Sequence, residues 1–111
     1  MKLQKELMGA STAVIILGIL SKSPSYGYQI VKYANDEAGD LFIWQEGTIY
    51  PVLHKLEKDG FVRAQWEESE KGRKRKYYYI TAKGRELLAK GAKEWEGFYN
   101  VILKFAEAPN G

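Results

Sequence analysis

The chain has no cysteine and a single histidine, His54, among its 111 residues. Without thiols it can form neither disulfides nor thiolate metal sites, which suits a reducing compartment, and a cytoplasmic location is expected. With one imidazole and scattered carboxylates, a metal centre and a resident cofactor are not expected. His54 has no serine or carboxylate partner at a suggestive spacing, and neither a GxGxxG nor a P-loop pattern occurs, so the chain does not read as an enzyme. Long apolar runs are also missing. The longest, Ala13 to Leu17, is five residues, against the roughly 18 needed to cross a bilayer. Lys2 and Lys5 are followed by Glu6 with no small-residue cleavage site, so no signal peptide is expected and no membrane partner. Internal repeats, linkers and low-complexity tracts are absent as well.

What is present fits one domain. Hydrophobic residues make up 45% and charged residues 28%, the balance of a soluble globular protein rather than a disordered one. The net charge of +3 is unevenly distributed. Residues 1–60 carry six Lys/Arg against seven Asp/Glu, residues 61–85 eight against three, and residues 86–111 three against four. All the excess positive charge sits in one short segment, the electrostatic footprint of a phosphate-binding surface. A solvated charged face is the plainer alternative.

Periodicity organises the rest. The first 20 residues read as a helix with two apolar stripes, Leu3, Leu7, Ala10, Val14 and Leu17 on one side and Met8, Ile15, Ile16 and Ile19 roughly opposite. Two stripes suggest one face for the core and one for a partner; the alternative is a central core helix. Ser23-Pro24-Ser25 stops this helix and starts another, with either serine as N-cap. In the segment Tyr26 to Ala38, Gly27, Ile30, Val31, Ala34 and Ala38 share a face, and Gly27 there marks a close crossing. Tyr28, Gln29 and Lys32 point away, toward solvent or a ligand, and Gly39 ends the helix. Leu41 to Trp44 reads as a brief strand. A third helix spans about 47–59, with Ile49, Val52, Leu53 and Leu56 as its buried stripe. Its outward face carries Thr48, Tyr50, Pro51, His54, Lys55 and Lys58 and is free of acids.

Phe61 to Glu67 and Lys76 to Ile80 are strand-like, and five of the six residues 71–76 between them are basic. A β-hairpin with a basic tip around Gly72 follows. Thr81 is a good N-cap for a last helix of roughly 25 residues, whose stripe runs through Leu88, Gly91, Trp95, Phe98, Tyr99, Ile102 and Phe105. Such a helix is about 38 Å long, more than so small a domain covers, so an uncovered aromatic stripe is expected at a subunit interface. This order predicts an α+β, mostly α fold: a winged helix-turn-helix over 1–81 with a long C-terminal dimerisation helix over 82–108. The third helix would enter the major groove and the hairpin, 68–76, would lie on the backbone.

The segments Pro24-Ser25-Tyr26-Gly27-Tyr28-Gln29-Ile30, Gly47-Thr48-Ile49-Tyr50-Pro51-Val52-Leu53, Leu56-Glu57-Lys58-Asp59-Gly60-Phe61-Val62 and Gly72 to Thr81 resemble the PadR family of bacterial transcriptional regulators. Four motifs in the right order over about residues 14–84 carry the resemblance, and the single C-terminal helix is similar to the smaller branch, some of whose members regulate multidrug transporters. The resemblance implies a cytoplasmic homodimer on an inverted-repeat operator in double-stranded DNA, acting as a repressor. It assigns Thr48, Tyr50 and Pro51 to the recognition-helix motif, Arg73, Lys74, Arg75 and Lys76 to the wing, and Tyr28 to a phosphate contact. Lys32, His54 and Lys55 complete the expected DNA-binding set.

In the multidrug branch the resemblance implies a flat cavity at the dimer centre, where paired tryptophans stack on planar hydrophobic compounds. The matching wall would be Trp95 with Leu7, Ala10, Val14 and Tyr99, continued by Phe98 and Ile102. Tyr99 departs from the acidic residue some members carry, and Trp95 as a plain interface anchor is the alternative. Two other classes stay open. A winged helix can dock proteins, though the basic run at 71–76 disfavours that, and nonspecific architectural DNA binding would show equal affinity for any sequence.

Overall fold

Ile49, Leu53 and Leu56 recur at helical spacing, and in the computed structural model all three are buried along one side of a helix. The structure describes residues 5–107, with side chains from Ser11 onward. In chain order it consists of α1 (Lys5–Lys22), β1 (Ser25–Tyr26), α2 (Gly27–Ala38), α3 (Glu46–Lys58), β2 (Val62–Glu68), β3 (Lys74–Ile80) and α4 (Ala82–Ala106). The three strands form an antiparallel sheet in the order β1-β3-β2. Helices α1 to α3 with this sheet make a winged helix-turn-helix, and α4 leaves it as a long arm.

The core is drawn from all of these elements. Ile16, Leu17 and Leu20 of α1, Ile30, Val31 and Ala34 of α2, and Val62 and Tyr78 of the sheet join the α3 stripe. Burying one such aliphatic side chain is worth roughly 1.5–3 kcal/mol. On α1 the two expected stripes do not hold as drawn. Thr12, Ile16, Leu17 and Leu20 are buried together, because α1 runs through the middle of the domain against α2, α3, α4 and β3. Val14 lies against Gly91 of α4 in the same chain, while Ile15 and Ile19 remain half-buried at a groove beside α2.

Two local expectations fail, each for its own reason. Leu41 to Trp44 forms no strand, because Asn35 holds both backbone groups of Trp44: Nδ2 donates to the carbonyl at 3.0 Å and Oδ1 accepts from the amide at 2.6 Å. Phe42 and Trp44 stack with ring centroids 5.0 Å apart and close the core there as a loop. The third strand is instead Ser25–Tyr26, paired with Tyr78 and Tyr77. Neither Ser23 nor Ser25 therefore caps α2. Tyr26 holds that position, and its amide donates to Gln29 Oε1 at 3.4 Å.

The α4 start is as expected. Thr81 Oγ1 accepts from the Gly84 amide at 3.0 Å and donates to the Gly60 carbonyl at 2.7 Å. Gly84 itself is backed by the Phe61 carbonyl so closely that no side chain fits, which pins the arm to the domain. Beyond Gly91 no residue of α4 is buried, and only Trp95 is half-buried.

Candidate nucleic-acid interface

At the wing, Gly72 adopts φ 77°, the left-handed conformation that glycine takes without strain. Its amide donates to the Ser69 carbonyl at 2.9 Å, and the Ser69 amide to the Arg73 carbonyl at 2.7 Å, closing the hairpin tip. Lys71, Arg73 and Lys74 are exposed around this turn. Strand alternation then separates the next two cations. Arg75 lies on the face shared with Tyr77 and Tyr79, and its guanidinium sits 4.4 Å from the Tyr26 ring centroid, a cation–π contact. Tyr26 in turn meets Tyr77 edge-on at 5.4 Å. Lys76 turns to the other face and pairs with Glu57 of α3 at 3.3 Å. Burial opposes its charge, but Tyr78 and the hydrogen bond to Glu57 outweigh this and raise its pKa. Lys76 thus braces the wing against α3 and is not brought to the open wing face.

Helix α3 presents Thr48, Tyr50, Pro51, His54, Lys55 and Lys58 on its exposed side, as the sequence implied. Pro51 stands inside α3, beyond the first turn, so the helix forgoes one backbone hydrogen bond there. Two of the cations and aromatics are engaged. Lys55 pairs with Asp59 at 3.4 Å, an exposed contact worth little. The Tyr50 ring packs on the face of Gly27 at the start of α2, where a methyl group would stand 2.5 Å from its hydroxyl. This is the close crossing that Gly27 signalled. Burial chiefly, with the charge of Glu46, raises the Tyr50 pKa, and Arg75 opposes. His54 lies beside it, with ring centroids 6.3 Å apart. One expectation needs correction: α3 begins at Glu46, a residue earlier than expected, so its outward face opens with an acid.

From α2, Tyr28 projects into solvent and Lys32 pairs with Asp36 at 3.5 Å. The wing, the α2 start and α3 therefore converge around Tyr26, Gly27, Tyr50 and Arg75. Between the wing tip and α2 lies a recess of about 380 Å³ lined by Tyr26, Gln29, Ser69, Glu70, Lys71, Arg75 and Tyr77. Lys71 and Tyr26 were not among the expected DNA contacts. The basic run at 71–76 contained the signal for Lys71, but nothing in the sequence showed that a two-residue strand would bring Tyr26 under Arg75. Among the described residues no cluster of His, Asp and Glu could hold a metal, and no helix is long and apolar enough to cross a membrane.

Residues 16–90 match the model of the transcriptional regulator PadR-like family. The chain belongs to the PadR family. Like its other members it is a DNA-binding transcriptional regulator of winged-helix fold and not an enzyme. A transcriptional regulator from Clostridium thermocellum superposes with a TM-score of 0.85 at 30% identity, over 95% of this chain and 99% of that one. A PadR-like regulator from Bacillus cereus gives 0.84 at 28% identity, over 94% and 99%. The negative transcriptional regulator PadR of Bacillus subtilis is 33% identical over 73 residues, which span 66% of this chain and 40% of that longer protein.

At the other end of this PadR chain, only some of the residues expected to form an effector wall come together. Trp95 meets Phe98 edge-on, with centroids 6.2 Å apart. Tyr99 and Ile102 are exposed, and Val14 is taken up by Gly91 of its own chain. The side chains of Leu7 and Ala10 lie outside the described residues.

Proposed function

We propose that the chain acts as a homodimeric cytoplasmic repressor of bacterial transcription on an inverted-repeat operator. Residues 1–81 would form the DNA-binding unit and 82–108 the dimerisation helix. Thr48, Tyr50 and His54 offer groups that can reach base edges in the major groove. Lys71, Arg73, Lys74 and Arg75 would neutralise phosphates along the wing, with Tyr28, Lys32, Pro51 and Lys55 at the margins. The observation that carries this reading is the stack of Arg75 on Tyr26 next to Tyr50, which joins wing, α2 and α3 into one surface. The recognition face itself has few cations, so phosphate contacts and DNA shape are expected to carry much of the affinity. The name of the Bacillus subtilis relative supports repression.

The exposed aromatic stripe of α4 favours Trp95 as a dimer anchor. An aromatic or drug-like effector stacked on the Trp95 pair is the second reading. It is favoured by the Phe98 ring edge-on to Trp95 and by the exposed ring of Tyr99 on the same helix, and would relieve repression.

The test is fluorescence anisotropy on a labelled duplex from upstream of the protein's own gene, with random competitor at 50 and 200 mM salt. With about six phosphate contacts, affinity is expected to fall roughly a thousandfold between these concentrations. Arg73→Ala with Arg75→Ala should weaken binding to every sequence alike and reduce the salt slope by about 2. An unchanged slope would remove the wing from the interface, and binding that competitor abolishes would argue for an architectural role.

A further inference from the structure

The wing hairpin has two faces, and Arg75 with Tyr77 and Tyr79 occupies only one of them. Side chains alternate along a strand, so Val62, Ala64, Trp66 and Glu68 of β2 share the other face with Ile80, Tyr78, Lys76 and Lys74 of β3. The start of this face belongs to the core, where Val62 and Tyr78 are buried. Lys76 shows which way the face turns further out, since its ammonium reaches Glu57 of α3 at 3.3 Å. Trp66 stands directly opposite Lys76, one step beyond the core and on an outer strand of the sheet. It is 66% exposed, whereas Trp44 is 2% exposed. A large indole is thus left in water on the side of the wing that faces the recognition helix.

We propose that Trp66 is a DNA contact, laying its indole on a deoxyribose of the strand that borders the major groove and donating its Nε1–H to the adjoining phosphate. The inference rests on the reading above, in which α3 enters the groove and the hairpin lies on the backbone. The bordering strand then passes between α3 and the hairpin, along the face that carries Trp66. Lys76 is held there by Glu57, which leaves the indole beside it to meet the backbone. Its chemistry fits that place. Deoxyribose offers carbon atoms to an apolar ring, and the indole nitrogen donates without accepting, as a phosphate oxygen requires. Lys74, exposed on the same face one pair nearer the tip, brings positive charge to the same strand, with Glu68 opposite it.

The consequence is a second kind of affinity. Phosphate contacts made by lysine and arginine release counterions and weaken as salt rises. An indole packed on a sugar has no such dependence. Trp66 therefore supplies a salt-resistant part of the affinity that is common to all sequences. It also sets how closely the hairpin approaches the duplex, and α3 with it, because the Lys76–Glu57 pair ties the two together.

Anisotropy on the upstream duplex and on a random one, at 50 and 200 mM salt, tests the contact. Trp66→Ala should lower affinity about tenfold for both duplexes at both salts, with the salt slope unchanged. Trp66→Phe keeps a ring and should recover most of the loss, and neither variant should shift the thermal midpoint, because the side chain is exposed. An alanine variant that binds as well as the wild type overturns the assignment. So does one whose salt slope falls by about 1, since Trp66 would then act only by placing a cation. Acrylamide quenching of the wild type gives a second readout. Trp44 is buried and Trp95 half-buried, so the most accessible emission is expected from Trp66, identified as the share missing in Trp66→Phe. Saturating duplex should shield that share. A share that stays accessible in the complex, or is already shielded without DNA at the same protein concentration, overturns the contact. A wild-type protein that binds neither duplex at 50 mM salt would instead remove the DNA reading beneath it.

Discussion

At the scale of single residues, the site depends on contacts that only small side chains permit. Gly27 is the clearest case. A methyl group there would press on the hydroxyl and ring of Tyr50, and that ring is the movable partner. Gly27→Ala is therefore expected to displace Tyr50 from its place beside Arg75. DNA affinity should fall about tenfold, as for the loss of one good contact worth roughly 1–3 kcal/mol. Gly27 is the first residue of α2, where alanine gains little over glycine, and the Tyr50 ring at the far end of its side chain can move aside, so thermal stability should change little. Anisotropy and calorimetry on one preparation would separate the two effects. Titrating groups act in another pH range. Burial chiefly raises the pKa of Tyr78 above 10.0, with Lys76 opposing, and Lys76 is itself raised. Both groups hold their protons more tightly folded than unfolded, so the stability they confer is complete at neutral pH. It is lost as pH rises past the ordinary tyrosine and lysine range. Denaturation midpoints should be flat from pH 6 to about 9 and decline above that, and Tyr78→Phe should make the alkaline decline shallower.

At the scale of elements, what the sequence disclosed was whatever periodicity or capping dictates. The α3 stripe, the Thr81 cap and the hairpin around Gly72 each follow from a local rule, and each is found where the rule puts it, with Ile49, Leu53 and Leu56 buried and Val52 half-buried at the stripe's flank. Two kinds of feature were hidden. Leu41 to Trp44 has a strand's composition, but Asn35, nine residues away from Trp44, takes up the backbone groups a strand would need. Tyr26 joins the site only because Ser25–Tyr26 pairs with Tyr78 and Tyr77, some fifty residues along the chain. Neither partnership leaves a local signature. The Asn35 clamp gives an element-scale prediction. Asn35→Ala leaves the amide and carbonyl of Trp44 without their partners, at a cost of about 1–3 kcal/mol. The expected result is faster amide hydrogen exchange in residues 41–45 and at the first turn of α3, with α4 unaffected. Equal acceleration throughout the chain would mean that the loop is not a separate element.

At the scale of the whole molecule, the proposed dimer assigns different tasks to the domain and the arm, and their geometry would then fix what DNA can be read. The proposed recognition surface of one chain is compact and offers few side chains to base edges, so it is expected to discriminate little between sequences alone. In the proposed dimer, two such surfaces held by paired α4 helices would discriminate through spacing, because a two-fold dimer presents its recognition helices to successive major grooves on one face of the duplex. That requires half-sites about one helical turn apart, roughly 10 bp centre to centre. Inserting 5 bp between the half-sites turns the second to the opposite side of the DNA, where a dimer clamped by its arms cannot follow. The expected outcome is loss of competitor-resistant binding, with salt-sensitive binding to random sequence kept. A 10 bp insertion restores the face but lengthens the span by about 34 Å, so a rigid dimer should still fail. Binding that survived both insertions equally would mean that each domain acts alone, and the arm would then need another explanation than holding two readers in register.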